Sequence, residues 1–148
     1  MREPIEVTAD TEIDAPADAI WKVLTELEDF HAWNPFIRDA RGAMGVGDKV
    51  RLRVRPSLPI PLVFHATVVA REERHFLRWT GYVLARWLGS GDHTFEIEPI
   101  DDRRSRFVQR ESFAGLLPRV TARLLVREAR RGFVAMNRAL KERVERAS

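Results

Sequence analysis

The chain has 148 residues, a length typical of one domain, and its 45% apolar and 32% charged residues are typical of a folded protein with a hydrophobic core. The absence of cysteine excludes disulfides, thiolate metal sites and cysteine nucleophiles. No run of about 18 apolar residues predicts a transmembrane segment, and the alternating, polar first residues do not resemble a secretory signal. We therefore expect a single domain over residues 1–148 and a cytoplasmic location.

The net charge of +3 is unevenly distributed along the chain. From Leu117 onward there are nine basic and three acidic residues, a net charge of +6, and the rest of the chain sums to −3. The overall charge is small for a nucleic-acid-binding protein, and no base-stacking aromatic residues interleave with these arginines. We expect no nucleic-acid partner. The basic segment predicts a solvated face, with peripheral contact to an anionic membrane surface or to an acidic partner as the alternatives.

A strand and two short helices are predicted at the start of the chain. Apolar and polar residues alternate from Ile5 to Ile13, the period of a half-buried strand. Pro16 suits a first helical turn, and apolar residues at helical spacing then predict a helix over about 16–27. A second short helical turn runs from Asp29 to Trp33 and is stopped by Pro35.

The middle of the chain predicts only strands and turns. Because no helix alternates with these strands, the sheet should be antiparallel, and it has seven strands when the first one is included. The predicted strands cover about 37–42, 48–55, 62–72, 76–83, 90–98 and 105–113, with a stiff proline-rich loop at 56–61.

The last segment predicts a long amphipathic helix that begins near Pro118. Its apolar residues recur every three or four positions and form one stripe, while arginines occupy the opposite side. About 28 residues at 1.5 Å each extend roughly 40 Å, enough to cross a whole sheet. A helix lying on a curved sheet favours an apolar cavity between them. The stripe consists of Ala122, Leu125, Val126, Ala129, Phe133, Met136, Leu140 and Val144.

Four segments give the chain a resemblance to a known superfamily. They are the opening strand with Ile13–Leu24, the Trp33–Phe36 segment, the strand start Gly91–Phe95, and Arg110–Leu117 before the last helix. In this order, over about residues 5–145, the chain resembles the START-like superfamily, also called SRPBCC or polyketide cyclase/dehydrase superfamily. The resemblance implies an α+β helix-grip fold, in which a seven-stranded antiparallel sheet wraps around a long C-terminal helix and two short helices follow the first strand. It also implies a deep pocket for an apolar or aromatic molecule, but a fold does not fix an activity.

Strand alternation identifies the side chains that should face this pocket. His93, Gln109 and Glu111 would then be polar groups on an otherwise apolar wall. Because a lone buried carboxylate is costly to ionise, we expect Glu111 to hydrogen-bond His93 or to be partly protonated. The predicted inward residues are Leu77, Trp79 and Gly81 in one strand, His93, Phe95 and Ile97 in the next, and Phe107, Gln109, Glu111 and Phe113 in the last.

The leading functional prediction is binding of a hydrophobic or aromatic small molecule, lipid-like or polyketide-like, in a cavity of a few hundred Å³. The alternatives are an enzyme of the polyketide cyclase/dehydratase type, with His93 and Glu111 as acid/base groups, and an interaction module that uses the basic helix face. The His93–Glu111 pair also has a purely structural interpretation. No metal and no cofactor are expected, and the chain should be a monomer or a homodimer. The predicted ligand-binding residues are Trp33, Phe36, Trp79, His93, Phe95, Gln109, Glu111, Phe113, Phe133, Met136 and Leu140.

Two other positions each have a functional and a structural interpretation. Either Trp33 and Phe36 gate the cavity mouth, or Trp33 belongs to the core and Asn34 caps the turn. Gly132, inside the last helix, either leaves room for a ligand or for the first helix, or is simply tolerated at a cost of about 1 kcal/mol. The remaining histidines lack the spacing of metal ligands.

Overall fold

The computed structural model describes residues 4–57, 59, 62–82 and 85–147. Its seven antiparallel strands form one sheet in the order β1-β7-β6-β5-β4-β3-β2, and the predicted helix-grip fold is confirmed. Part of the predicted loop at 56–61 and the last residue of the strand predicted over 76–83 lie outside the described residues. The strands are β1 Ile5–Ile13, β2 Ile37–Gly42, β3 Lys49–Val54, β4 Leu62–Glu72, β5 Phe76–Tyr82, β6 Ser90–Pro99 and β7 Ser105–Ala114.

Two helices lie between the first and second strands, and two follow the last strand. The predicted first helix is shorter than expected, because Glu26 leaves the helical conformation and a 3₁₀ turn, Leu27–Asp29, follows it. Its inner face buries Ile20, Trp21 and Leu24 in the core. The helices are α1 Ala17–Thr25, α2 Phe30–Trp33, α3 Leu116–Val120 and α4 Ala122–Ala147.

The long helix begins later than the sequence predicts. The residues around Pro118 form the separate short helix α3, and α4 starts only at Ala122. The two are divided at Thr121, whose backbone is not helical and whose hydroxyl donates a hydrogen bond to the Leu117 carbonyl oxygen. The Leu117 N–H also donates to the carbonyl oxygen of Leu88, which holds α3 against the β5–β6 connection.

The register of the sheet decides which side chains meet beneath α4. Trp79 of β5 is paired with His93 of β6, and His93 is paired with Glu111 of β7. Directly opposed residues of neighbouring strands point to the same face of a sheet. The inward side chains of these three strands therefore lie side by side on the face of the sheet that α4 covers.

The second half of α4 packs directly onto the sheet. Phe133, Met136 and Leu140 are completely buried. Met136 and Leu140 belong to the same hydrophobic cluster as Phe95 and Phe107 of β6 and β7. The predicted stripe of α4 is therefore the core-facing side of the helix, and arginines 119, 123, 127, 130 and 138 are exposed as expected.

Candidate functional site

A cavity of about 290 Å³ lies between the sheet and the first half of α4. Its walls come from strands β2 to β7 and from α3 and α4, and they are mainly apolar. It is partly open to solvent, and several of its lining residues are exposed, among them Leu62, Tyr82 and Leu117. The volume agrees with the prediction, but the cavity is open rather than enclosed and lies nearer the start of α4 than predicted.

The cavity exists because two glycines stand on the inner face of the sheet. Gly81 of β5 is paired with Gly91 of β6, and this pair lies two residues along the strands from the pair of Trp79 and His93. A Cβ atom at Gly81 would lie 2.7 Å from the carbonyl oxygen of His65, and one at Gly91 would lie 2.7 Å from Oε1 of Glu111. Neither position therefore has room for a larger residue, and both glycines line the cavity without a side chain that would extend into it. Two glycines at inward positions of neighbouring strands were the sequence signal that could have located it.

A chain of hydrogen-bonded side chains runs from the cavity to α4. Nδ1 of His93 lies 3.2 Å from Oε2 of Glu111, and Nε2 of His93 lies 3.0 Å from Oε1 of Gln109. Nε2 of Gln109 donates to Oδ1 of Asn137, 2.6 Å away on α4. His93, Gln109 and Asn137 are buried, while 18% of the Glu111 side chain is exposed. The expected contact between Glu111 and His93 is present. The sequence did not identify Asn137, the last residue in this series of hydrogen bonds.

These hydrogen bonds define what each group can do chemically. Both ring nitrogens of His93 are occupied by protein oxygens, so the imidazole offers no N–H to a ligand. Glu111 is the member of the pair that lines the cavity with a free oxygen.

The imidazole of His93 is fixed by aromatic neighbours. It stacks on Phe95 at 4.2 Å between ring centroids with an interplanar angle of 18°, and the ring of Phe133 lies 4.9 Å away. Trp79 meets it edge-on at 5.9 Å. Packing on these sides fixes the ring orientation that the hydrogen bonds to Glu111 and Gln109 require.

A second carboxylate, Glu128 of α4, also lines the cavity. The Ser57 hydroxyl donates a hydrogen bond to its Oε1, and the Ser57 N–H donates to its Oε2 at 3.1 Å. These hydrogen bonds hold the pKa of the Glu128 carboxyl below its ordinary value, with smaller contributions from Arg127 and Arg131. The sequence analysis did not identify Glu128, because at helical spacing it lies beside the apolar stripe and resembles a surface residue.

The structure brings together about half of the predicted ligand-binding residues. Phe36, Trp79, His93, Glu111 and Phe113 line the cavity. Six others do not line it, because they are packed within the core or beside it; they are Trp33, Phe95, Gln109, Phe133, Met136 and Leu140. The three α4 residues lie away from the cavity for a simple reason: the helical stripe identifies the inner face of the helix but not the part of the sheet opposite each turn.

In the Trp33–Phe36 segment, each of the two interpretations is right for some of the residues. Trp33 packs edge-on against Phe30 at 5.2 Å and does not line the cavity. Oδ1 of the buried Asn34 accepts hydrogen bonds from the N–H groups of Phe36 and Ile37, as expected of a turn cap. Only Phe36 reaches the cavity wall.

Gly132 accommodates a side chain of the protein itself, rather than a ligand or α1. A Cβ atom there would overlap the ring of Phe36. The same ring packs edge-on against Phe133 at 5.8 Å. Gly132 therefore helps to form the cavity wall indirectly, by giving Phe36 its place.

Two other kinds of site find no support in the described part of the chain. Among those residues, no three His, Cys, Asp or Glu side chains are grouped so that they could bind a metal ion. None of the helices within residues 4–147, apart from the gaps already given, combines the length and apolar character that crossing a bilayer requires.

Comparison with protein families decides where this fold and cavity belong. A family model described as polyketide cyclase / dehydrase and lipid transport matches residues 4–145. The chain belongs to this family. The match agrees with the resemblance that the sequence motifs indicate, and it fits a ligand-binding or polyketide cyclase role. Comparison with curated proteins gives no match.

Several solved structures share the fold at low sequence identity. The Zhui aromatase/cyclase from Streptomyces sp. R1128 is 20% identical, with a TM-score of 0.80 over 95% of this chain and 93% of that one. A START superfamily protein from Mycobacterium smegmatis is 19% identical, with a TM-score of 0.78 over 97% and 99% of the two chains. A norcoclaurine synthase from Thalictrum flavum is 14% identical, with a TM-score of 0.73 over 97% and 96%. At these identities the likeness establishes the fold alone.

Proposed function

We propose that this protein binds a hydrophobic or aromatic small molecule, lipid-like or polyketide-like, in the cavity between the sheet and α4. The observation that carries the proposal is the cavity itself: about 290 Å³, mainly apolar walls and a mouth that reaches solvent. Ligand sites are typically apolar clefts with a few polar groups that orient the ligand. Here Glu111, supported by His93, supplies such a group. A cytoplasmic location and a monomeric or homodimeric state are part of the same proposal.

Neighbouring residues of α4 provide a matched pair of variants to test this function. Leu125 lines the cavity, whereas Leu124 is exposed and does not. Leu125→Trp should fill the cavity, and Leu124→Trp should leave it open. The measurement is titration with the uncharged fluorescent probe N-phenyl-1-naphthylamine, together with native mass spectrometry of the purified protein for co-purifying compounds.

We expect saturable probe binding by the wild type and by Leu124→Trp, and binding weakened at least tenfold in Leu125→Trp. A folded wild type that neither binds the probe nor carries a compound would contradict the proposed function. Equal weakening by the two variants would place the binding elsewhere on the protein. Circular dichroism of all three proteins ensures that a loss of binding reports the cavity and not the fold.

An acid/base enzyme of the cyclase/dehydratase type is the second candidate, and the His93–Glu111 pair is the observation that favours it. Because both ring nitrogens of His93 are occupied, Glu111 would exchange a proton with the substrate and His93 would hold Glu111 in position. Glu111→Gln should then lower turnover of an aromatic polyketide substrate by about 10²–10⁴-fold and leave binding largely intact. Unchanged turnover in that variant would remove Glu111 from the mechanism.

A further inference from the structure

We propose that the cavity selects uncharged or cationic ligands that carry an N–H or O–H donor, and that it rejects anionic ligands such as fatty acids. This inference rests on the proposed function and adds the chemical class of the ligand. Its basis is the set of charged and polar groups that line the cavity.

The first step concerns the free oxygen of Glu111. Oε2 of Glu111 is held by His93, but Oε1 accepts no hydrogen bond from any residue that the structure describes. Glu111 lines the cavity, and its Oε1 lies against Gly91, where an added Cβ atom would be only 2.7 Å from it. A hydrogen-bond acceptor at this place is suited to an amine, an alcohol or a phenol on the ligand.

The second step concerns the opposite wall, where Glu128 adds a negative charge. Its hydrogen bonds from Ser57 hold its pKa below the ordinary value, so the carboxylate is ionised at neutral pH. The described lining of the cavity therefore carries a negative charge at Glu128.

The third step is that no cation balances this charge inside the cavity. Among the described lining residues there is no lysine and no arginine. Arg127 lies 4.0 Å from Oε1 of Glu128, but 73% of its side chain is exposed and it does not line the cavity. Five residues that the structure does not describe are of uncharged types in the sequence: Leu58, Ile60, Pro61, Val83 and Leu84. His65 also lines the cavity, but it is an exposed residue of β4.

A ligand carboxylate would thus leave water without gaining a charged partner, and it would lie close to Glu111 or Glu128. Transfer of an unpaired charge into such a site is strongly unfavourable. An ammonium or hydroxyl group on the same molecule would instead donate to Glu111. The discrimination should therefore follow the head group of the ligand and not its apolar body.

A series of naphthalenes that differ only in the head group tests this inference. The probes are 1-naphthylmethylamine, 1-naphthalenemethanol, 1-methylnaphthalene and 1-naphthaleneacetate, titrated into the full chain by isothermal calorimetry at neutral pH. We expect the amine to bind about tenfold or more tighter than 1-methylnaphthalene, the factor that a hydrogen bond to a charged group supplies. The alcohol should lie between them, and the acetate should bind weakest.

Glu111→Gln is the decisive variant, and Glu96→Gln is its matched control. Glu96 lies on the outer face of β6, where it pairs with Arg110 at 2.7 Å and does not line the cavity. The preference for amine over acetate should fall about tenfold in Glu111→Gln and remain unchanged in Glu96→Gln. If all four probes bind equally, or the acetate binds best, the ligand class proposed here is wrong while small-molecule binding stands. If none of the four binds, the proposed function itself fails.

Discussion

The two halves of α4 present the same amphipathic pattern to the sheet and yet meet it differently. In the second half, Phe133, Met136 and Leu140 are fully buried. In the first half, Leu125 and Ala129 face a cavity of about 290 Å³. The helix is continuous across both halves, so the difference must come from the surface opposite it.

The sheet supplies that difference through the size of its inward side chains. Opposite the second half of α4, large residues such as Phe95 and Phe107 complete a solid core. Beneath the first half, the inward positions of β5 and β6 are Gly81 and Gly91. The cavity is thus produced by the absence of side chains at these two positions of the sheet. α4 covers one side of the cavity without filling it.

The largest expected effect separates the two halves directly by truncating one residue in each. Phe133→Ala should lower the free energy of unfolding by about 3–5 kcal/mol, because it removes a fully packed aromatic ring. Leu125→Ala should cost less than about 1 kcal/mol, since its side chain already borders empty space. Urea unfolding of both variants measures the contrast.

Val134→Ala is the control for this pair, because Val134 lies on the exposed side of α4. Its free energy of unfolding should stay within about 0.5 kcal/mol of the wild type. Equal decreases in the free energy of unfolding for Phe133→Ala and Leu125→Ala would mean that both halves of the helix are packed alike. That result would contradict the difference between the two halves.

A second prediction concerns the one polar residue that links the packed half of α4 to the site. Asn137→Leu should lower the free energy of unfolding by about 1–2 kcal/mol, because Nε2 of Gln109 loses its acceptor in a buried environment. Part of the loss is offset, since Nδ2 of Asn137 is itself buried without a partner among the described residues. Urea unfolding measures the change, with Arg138→Leu on the exposed neighbouring position as control. A stabilised Asn137→Leu variant would show that the chain of hydrogen bonds contributes nothing.

The inward faces of the strands could be predicted from the sequence because alternation is a local property. The period of two placed His93, Gln109 and Glu111 on one side, and antiparallel pairing then brought them together. The long stripe of α4 was equally local, and its residues do face inward. The fold class and the contact between His93 and Glu111 could therefore be predicted from the sequence.

The position of the cavity was not accessible in the same way, because it depends on which residues oppose each other across the molecule. No pattern within α4 shows that Leu125 borders the cavity and that Leu140 is packed in the core. That difference depends on the glycines of β5 and β6. The role of Gly132 is another such case, since its partner Phe36 is 96 positions away in sequence. Local periodicity predicts a face, whereas a cavity is a property of two faces.

A third prediction uses Gly132, which lies where the cavity half and the packed half of α4 meet. Alanine favours a helix by about 1 kcal/mol over glycine, but here its Cβ would overlap the ring of Phe36, and overpacking typically costs about 1–3 kcal/mol. Gly132→Ala should therefore be destabilised by about 1 kcal/mol despite the better helix propensity. Thermal and urea unfolding measure it.

The double variant Gly132→Ala/Phe36→Leu is the internal check on this explanation. A shorter side chain at position 36 removes the overlap, so the two changes together should cost less than the sum of their separate costs. Strict additivity would mean that Phe36 is not what requires a glycine at position 132.

The smallest expected effect concerns Glu128, which links the cavity half of α4 to the segment after β3 through hydrogen bonds from Ser57. The hydrogen bonds from Ser57 lower the pKa of Glu128 in the folded protein. A lowered pKa stabilises the fold at pH values above the unfolded-state pKa of glutamate, about 4.3, and that contribution is lost as the pH falls through the folded-state pKa. Glu128→Gln should therefore be less stable than the wild type at pH 7, and the difference should shrink as the pH approaches 3. Urea midpoints measured across this range test the sign, with the exposed Glu142→Gln of the same helix as control; a difference that widens in acid would show that Ser57 does not favour the ionised form of Glu128.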